Sequence, residues 1–123
     1  NKALELLSKM ELDLKQKVSH LSTGQKGRLK ILLVLSRNVD LYLIDEPLNG
    51  LDPISRDMVI EMIGLEKKED KTFIISTHLI DELDKIMDRI IMFREGKVYI
   101  DEECKKVCED KNMTLNEFYK TVY

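Results

Sequence analysis

Hydrophobic positions along this chain change between helical spacing and short continuous apolar runs, as in proteins that alternate helices and strands. Helical spacing predicts helices over residues 2–10, 25–37 and about 53–64, with Gly64 or the charged run 66–71 ending the third. Apolar runs at 41–44 and 72–76 predict two buried parallel strands, because such strands are covered on both faces. This order indicates an α/β fold with a mostly parallel sheet and flanking helices.

The last third of the chain has a different pattern. A short apolar helix is expected after His78, and two apolar runs at 90–93 and 97–100, joined around Glu95-Gly96, predict a C-terminal hairpin. Two short helices are expected in the tail, from Glu102 to Tyr123.

The start of the second helix has candidate chemistry. Ser22, Thr23 and Gly24 suggest a small-residue loop whose unpaired N–H groups and helix dipole would favour an anion such as phosphate. Residues 15–38 include six basic side chains and no acidic one. Three of them gather at the helix start and would favour a bound polyanion: Lys26, Arg28 and Lys30. The alternative is an ordinary capped helix. From Leu29 onward the segment is apolar nearly all round, which predicts burial on most sides.

Composition narrows the class of protein. A chain of 123 residues, 43% hydrophobic and 35% charged, is typical of one globular domain, and its net charge of −3 argues against general nucleic-acid binding. No apolar run approaches the roughly 20 residues of a membrane span and no secretory signal is evident, so a cytosolic setting is expected. Cys104 and Cys108 alone are too few for a zinc site.

Polar side chains follow both predicted strands. Asp45 and Glu46 end the first, where one carboxylate can hold Mg²⁺ through water and the other can activate an attacking water. His78 follows the second strand and is a candidate contact for a γ-phosphate. The alternatives are solvated turn carboxylates, a loop histidine, and for Asp52 a simple helix N-cap before Pro53.

Four segments together resemble the C-terminal half of an ABC-type ATPase in order and spacing. They match its signature loop, Walker B strand with the following glutamate, D-loop and switch histidine: Leu21-Ser-Thr-Gly-Gln25, Leu41-Tyr-Leu-Ile-Asp-Glu-Pro47, Asn49-Gly-Leu-Asp-Pro53 and Ser76-Thr-His78. Asp88-Arg89-Ile90 and Glu95-Gly96-Lys97 are similar to the closing strand and hairpin of that family. The expected fold is therefore a partial P-loop NTPase fold of the ABC ATPase type.

The resemblance implies a role for each matching residue. Asp45 would coordinate Mg²⁺ through water, Glu46 would be the general base, and His78 would contact the γ-phosphate of ATP. Residues of the signature loop and D-loop would act across a dimer interface on ATP held by the opposite subunit: Ser22, Thr23, Gly24, Gln25, Asn49, Gly50 and Asp52.

The sequence departs from the family pattern at several positions and lacks one motif. Leu33 and Val39 stand where arginine and proline are frequent, which is expected to affect packing rather than chemistry. Thr23 stands where glycine is usual, which predicts a weaker grip on phosphate or a strained φ. No Gly-x-x-x-x-Gly-Lys-Ser/Thr occurs, so nothing in this sequence cradles the β- and γ-phosphates. We therefore interpret residues 1–123 as a C-terminal fragment, inactive alone, with 1–38 ending the helical subdomain and 39–123 forming part of the catalytic core.

The leading functional interpretation is the ATP-hydrolysing subunit of an ABC transporter, at the inner face of the membrane. Its partners would be a second ATPase subunit, arranged head to tail, and a transmembrane permease, with no nucleic acid. Alternatives are an ABC ATPase of DNA repair or chromosome maintenance, a soluble translation-associated ABC protein, and a non-enzymatic interaction module.

The missing Walker A strand would leave one edge of residues 73–76 unpaired and apolar. We expect this edge to be covered by self-association or by residues 90–93.

Overall fold

The computed structural model describes residues 2–68 and 70–123, in two compact units that meet in sequence between His78 and Leu79. The first unit consists of α1 (Lys2–Lys9), a 3₁₀ turn (Val18–His20), α2 (Thr23–Leu35), β1 (Leu41–Asp45), α3 (Pro53–Lys67) and β2 (Thr72–Ser76). The alternation of helices with two parallel strands confirms the predicted α/β class.

Helix α2 begins two residues earlier than its apolar pattern indicated. Ser22 is the N-cap, so Thr23 and Gly24 form the first turn of the helix, and the expected loop in front of it is wrong. Burial on most sides is also wrong, because Leu33 is 57% exposed whereas Ile31, Leu32 and Leu35 are buried.

Strands β1 and β2 pair in parallel, with Leu41 opposite Thr72 and Asp45 opposite Ser76. The expectation of two-sided burial is wrong: Leu43 is 70% exposed and Ile74 57%, whereas Tyr42 and Ile44 are buried. Parallel strands are apolar on both faces where both faces are covered, and in the described residues one face of this sheet is open.

Helix α3 starts as its sequence predicts. Asp52 caps it, with its side chain accepting a hydrogen bond from the Ser55 backbone N–H, and Pro53 occupies the first turn. The helix continues past Gly64 to Lys67, and Ile54, expected to point inward, is 70% exposed. Val59, Met62 and Ile63 do form its buried face, as predicted.

The buried side chains of the first unit come mainly from its helices and from β1, among them Leu35, Val59 and Tyr42. Helix α2 packs against both α1 and α3. The stacked rings of Tyr42 and Phe73, with centroids 4.7 Å apart, join the two strands in register. The position of the strand ends is therefore set by buried packing on one face.

The second unit, Leu79–Tyr123, has its own core. It contains α4 (Ile80–Leu83) with a 3₁₀ turn (Asp84–Ile86), β3 (Arg89–Arg94), β4 (Lys97–Glu103), α5 (Cys104–Lys111) and α6 (Leu115–Val122). β3 and β4 form the predicted antiparallel hairpin. The buried side chains that close the unit are Ile80, Ile90, Met92, Cys104, Val107, Leu115, Phe118 and Val122.

Burial raises the pKa of the Cys104 thiol to about 11, so this cysteine stays protonated and behaves as a small apolar side chain.

Each described sheet contains two strands, β1 with β2 and β3 with β4. The alternative in which residues 90–93 pair with the edge of β2 is therefore wrong, because among the described strands only β1 pairs with β2. Within the described residues, the edge of β2 away from β1 is unpaired.

Candidate functional site

The carboxyl end of β1 delivers two carboxylates to one edge of the sheet. The chain turns sharply at Glu46, whose φ of 45° lies in the left-handed region that side chains other than glycine rarely adopt. The Glu46 backbone N–H donates to the Ser76 carbonyl over 2.9 Å, one residue beyond the ladder. The turn therefore comes before Pro47, and backbone strain is located at a proposed catalytic residue.

The end of β2 supplies a partner for each carboxylate. The Ser76 hydroxyl donates to Oδ1 of Asp45. The two oxygens of Glu46 have separate partners: Oε2 accepts from the Thr77 hydroxyl over 3.3 Å, and Oε1 lies 2.8 Å from Nδ1 of His78. The structure thus brings together Asp45, Glu46 and His78, as the strand ends predicted.

This cluster remains open to solvent. The side chain of Glu46 is 31% exposed and that of His78 is 57% exposed. An ionised carboxylate offers about four acceptor positions, and Glu46 uses two of them, which leaves room to accept a proton from a water molecule. The chemistry available here is that of a positioned general base beside a second carboxylate.

The donor atoms at this edge suit Mg²⁺, which takes oxygen ligands and usually keeps several waters. Asp45 is exposed and uses Oδ1 for Ser76, while Oδ2 has no hydrogen bond among residues 2–68 and 70–123. No three His, Cys, Asp or Glu side chains in that described part cluster closely enough to hold a metal by themselves. Asp45 therefore fits as one ligand among waters and phosphate oxygens.

The first turn of α2 is a closed capping box. Ser22 Oγ accepts from the Gln25 N–H over 3.2 Å, and Oε1 of Gln25 accepts from the Ser22 N–H over 2.8 Å. Thr23 lies in the regular helix, and the φ strain considered for it is absent, since Thr23 is not among the described residues with positive φ. The substitution of the usual glycine is accommodated without a strained backbone.

At Gly24 the signature segment packs closely against the D-loop residue Asp52. A Cβ at Gly24 would collide with Oδ2 of Asp52 and lie 2.7 Å from Oγ of Ser55, so a larger residue here would displace this hydrogen-bonded pair. A Cβ at Gly27 would likewise collide with the side chain of Leu51. The structure therefore places the start of α2 directly against the loop that follows the carboxylate strand.

Residues 46–52 form a tight connection between the two parts of the site. The Asn49 N–H donates to the Glu46 carbonyl over 3.2 Å, and Gly50 takes a φ of 72°. Asn49 and Gly50 are exposed. The N–H and then the hydroxyl of Ser55 hold the pKa of the Asp52 carboxyl below its usual range, so Asp52 stays ionised as the cap of α3.

Arg28 does not face solvent with Lys26 and Lys30. Its side chain is buried, with Nη1 2.8 Å from the sulfur of Met58 and 3.9 Å from Oε2 of Glu11. The expectation that Arg28 attracts a polyanion is wrong, because its stem and guanidinium pack inside the unit.

Sequence reasoning gave no role to Ser55, Ser76 and Thr77. All three are hydroxyl residues that bind a carboxylate of the site, Asp52, Asp45 and Glu46 respectively. Their positions in the sequence could have indicated these roles, because Ser55 is three residues after a helix cap and Ser76-Thr77 directly precede His78.

None of the described helices combines the length and apolar character needed to cross a lipid bilayer.

Comparison with known proteins agrees with this geometry. The sequence profile described as ABC transporter matches residues 1–49. The lantibiotic transport ATP-binding protein of Streptococcus pyogenes is 38% identical over 102 residues, covering 81% of this chain and 44% of that protein. The chain spans less than half the length of the curated relatives it matches.

Solved structures show the same fold. An ATP-binding subunit of an ABC transporter superposes with a TM-score of 0.83 at 24% identity, over 98% of this chain and 52% of that one. A dimeric, post-hydrolysis ATP-binding cassette with bound ADP and Pi gives a TM-score of 0.69 at 30% identity, over 83% and 45% of the two chains. With four motifs in order, two of them in contact at one sheet edge, the chain belongs to the ABC transporter family.

Proposed function

We propose that this chain is the C-terminal part of the ATP-hydrolysing subunit of a membrane transporter. Residues 1–38 would end the helical subdomain and residues 39–123 would form part of the catalytic core. The observation that carries the proposal is the carboxylate of Glu46, fixed by contacts to Thr77 and His78 at the carboxyl end of a parallel strand.

Glu46 acts in this proposal as the general base. Its carboxylate would accept a proton from the water that attacks the γ-phosphate of ATP, and His78, in contact with Glu46, would reach the same phosphate. Asp45 would hold Mg²⁺ through water, and the ion would neutralise charge developing on the phosphate oxygens.

The start of α2 and the D-loop would act in trans. In a head-to-tail dimer, the signature and D-loop residues would contact ATP held by the opposite subunit: Ser22, Thr23, Gly24, Gln25, Asn49, Gly50 and Asp52. The close approach of Gly24 to Asp52 supports their action as one surface. The dimeric cassette structure among its neighbours also supports this arrangement.

The transmembrane permease would be the second partner of this subunit and would choose the transported substrate. The names of transport relatives support a transporter subunit over the alternatives in DNA repair or translation. The subunit would then work at the cytoplasmic face of the membrane. Alone, the chain would also self-associate through the apolar, unpaired edge of β2.

The decisive experiment replaces the base in the full-length ATPase. Glu46→Gln keeps the size of the side chain and one acceptor oxygen but removes its ability to take a proton. We expect steady-state ATP hydrolysis to fall by at least about 100-fold, with ATP binding retained and an ATP-bound dimer accumulating. Phosphate release and size-exclusion chromatography with ATP measure both effects.

Two controls accompany this variant. Glu109→Gln makes the same chemical change at an exposed position of α5 and should leave turnover unchanged. The 123-residue chain without a phosphate-cradling loop should hydrolyse no ATP. Unchanged turnover in Glu46→Gln would refute the assigned base role.

A further inference from the structure

The last residue of β2 and the one that follows it lie directly beside the carboxylates of β1. Ser76 is the parallel partner of Asp45, and its carbonyl accepts the backbone N–H of Glu46 over 2.9 Å. This pairing fixes the backbones of both strand ends relative to each other, so the Ser76 and Thr77 side chains have a defined reach to the two acids.

Each hydroxyl binds a different carboxylate. Ser76 Oγ donates to Oδ1 of Asp45, and Thr77 Oγ1 donates to Oε2 of Glu46 over 3.3 Å. These bonds occupy one oxygen of Asp45 and one oxygen of Glu46. Oδ2 of Asp45 has no hydrogen bond within residues 2–68 and 70–123, and each oxygen of Glu46 retains a further acceptor position.

Packing alone does not fix the side chain of Glu46, because it is partly exposed. Its side chain is 31% exposed, and the left-handed φ of 45° aims it away from the regular strand direction. A half-buried glutamate with three rotatable bonds still samples several rotamers unless hydrogen bonds select one. His78 contacts Oε1, and Thr77 supplies a second contact, so that together they select one rotamer of the side chain.

We propose that Ser76 and Thr77 are positioning residues: Ser76 turns Asp45 so that Oδ2 is presented, and Thr77 holds Glu46 in the orientation of a general base. The consequence for catalysis rests on the proposed ATPase function. The orientation itself is a property of this chain and can be measured without ATP.

The first arm of the test uses NMR of the 123-residue chain. Side-chain ³J couplings of Glu46 and Asp45 report whether each occupies one rotamer. We expect Thr77→Val to average the couplings of Glu46 only, and Ser76→Ala to average those of Asp45 only. Thr77→Ser and Ser76→Thr, which keep the hydroxyl, should restore single rotamers. Thr72→Val, at the opposite end of β2, is the matched control and should change neither residue.

The second arm measures ATP hydrolysis by the full-length ATPase. Thr77→Val should lower kcat about tenfold and leave KM for ATP within about twofold, the effect of one hydrogen bond to a charged group that acts on the base. Thr77→Ser should recover most of kcat, and Thr72→Val should match the wild type. A purely structural role would instead reduce folding and affect kcat and KM together.

The outcomes separate the inference from the proposed function. Unchanged Glu46 couplings in Thr77→Val would overturn the positioning role, whether or not the protein hydrolyses ATP. Activity that Glu46→Gln abolishes but Thr77→Val leaves intact would overturn it while upholding the base. No hydrolysis by the wild type would overturn the proposed function, and the NMR couplings would still decide the positioning role.

Discussion

Helices α2 and α6 begin with the same hydrogen-bonded cap, yet only α2 lies at the proposed nucleotide site. In α6, Thr114 Oγ1 accepts from the Glu117 N–H over 3.2 Å and Glu117 accepts from the Thr114 N–H over 2.7 Å, which repeats the Ser22–Gln25 geometry. The difference is charge. Glu117 places a carboxylate on the positive end of α6, whereas the first turn of α2 contains no acidic residue.

The lowered pKa of Glu117 shows that its carboxylate is stabilised in the α6 cap. The Thr114 N–H, and then the Thr114 hydroxyl, hold the pKa of the Glu117 carboxyl below its usual range. Helix α6 therefore compensates its own dipole, and its cap is structural. Helix α2 has a neutral Gln25 in the same place, so no side chain of its own first turn compensates its dipole.

The second helical position differs as well. In α2 it is Gly24, against Asp52 and Ser55, and in α6 it is Asn116, whose side chain donates to Asp81 over 2.5 Å. The two capping motifs thus differ in the charge at their third position and in the packing at their second.

The strongest test of this comparison changes those second positions. Gly24→Ala would gain up to about 1 kcal/mol of helix propensity but push apart the Asp52–Ser55 pair that caps α3, and overpacking of this kind costs about 1–3 kcal/mol. We expect a net loss of about 1–2 kcal/mol in the free energy of unfolding in urea. Asn116→Ala, at the same position of α6, should change it by less than about 0.5 kcal/mol.

Equal losses in both variants would show that Gly24 is an ordinary helical position. A stabilised Gly24→Ala would contradict the close packing of α2 against the D-loop.

The next largest effect comes from removing the caps. Ser22→Ala and Thr114→Ala should each lower the free energy of unfolding by about 1 kcal/mol, because each leaves a backbone N–H of the first turn unsatisfied. Urea unfolding at pH 7 measures both. Ser22→Thr and Thr114→Ser keep a capping hydroxyl and are the matched controls.

ATP hydrolysis should distinguish the two caps, although both are expected to affect stability equally. In the full-length ATPase, Ser22→Ala should also lower hydrolysis, whereas Thr114→Ala should leave it unchanged at temperatures where the protein stays folded. A similar loss of hydrolysis in both variants would mean that the two caps have the same role.

The smallest effect is the pH dependence of the α6 cap. Since the folded pKa of Glu117 is lowered, its contribution to stability is present above the unfolded value near 4.5 and is lost as pH falls through the folded pKa. The wild type should therefore be more stable than Glu117→Gln at pH 7, and the difference should vanish at lower pH. Urea unfolding between pH 7 and pH 3 follows this difference.

The matching change in α2 is Gln25→Glu. It should introduce a pH dependence of the same sign, because a carboxylate then compensates the helix dipole there. A wild-type profile in Glu117→Gln would contradict the charge-based distinction between the two caps.

Local sequence determined the elements and the chemical identities at the strand ends. Asp52 and Pro53 marked the start of α3, and the turn residues Glu95-Gly96 marked the hairpin, because caps and turns depend on neighbours in sequence. The parallel pairing of the two apolar runs placed Asp45 and Glu46 beside His78, since parallel strands end at one edge.

Tertiary structure alone decided burial and mutual orientation. Leu43 is apolar yet exposed, and Arg28 is charged yet buried, because burial depends on what other segments cover each face. The hydroxyls of Ser76 and Thr77 gained partners only when the two strands came into register. The left-handed turn at Glu46 and the contact of Gly24 with Asp52 likewise arise where segments distant in sequence meet, and no local pattern encodes such meetings.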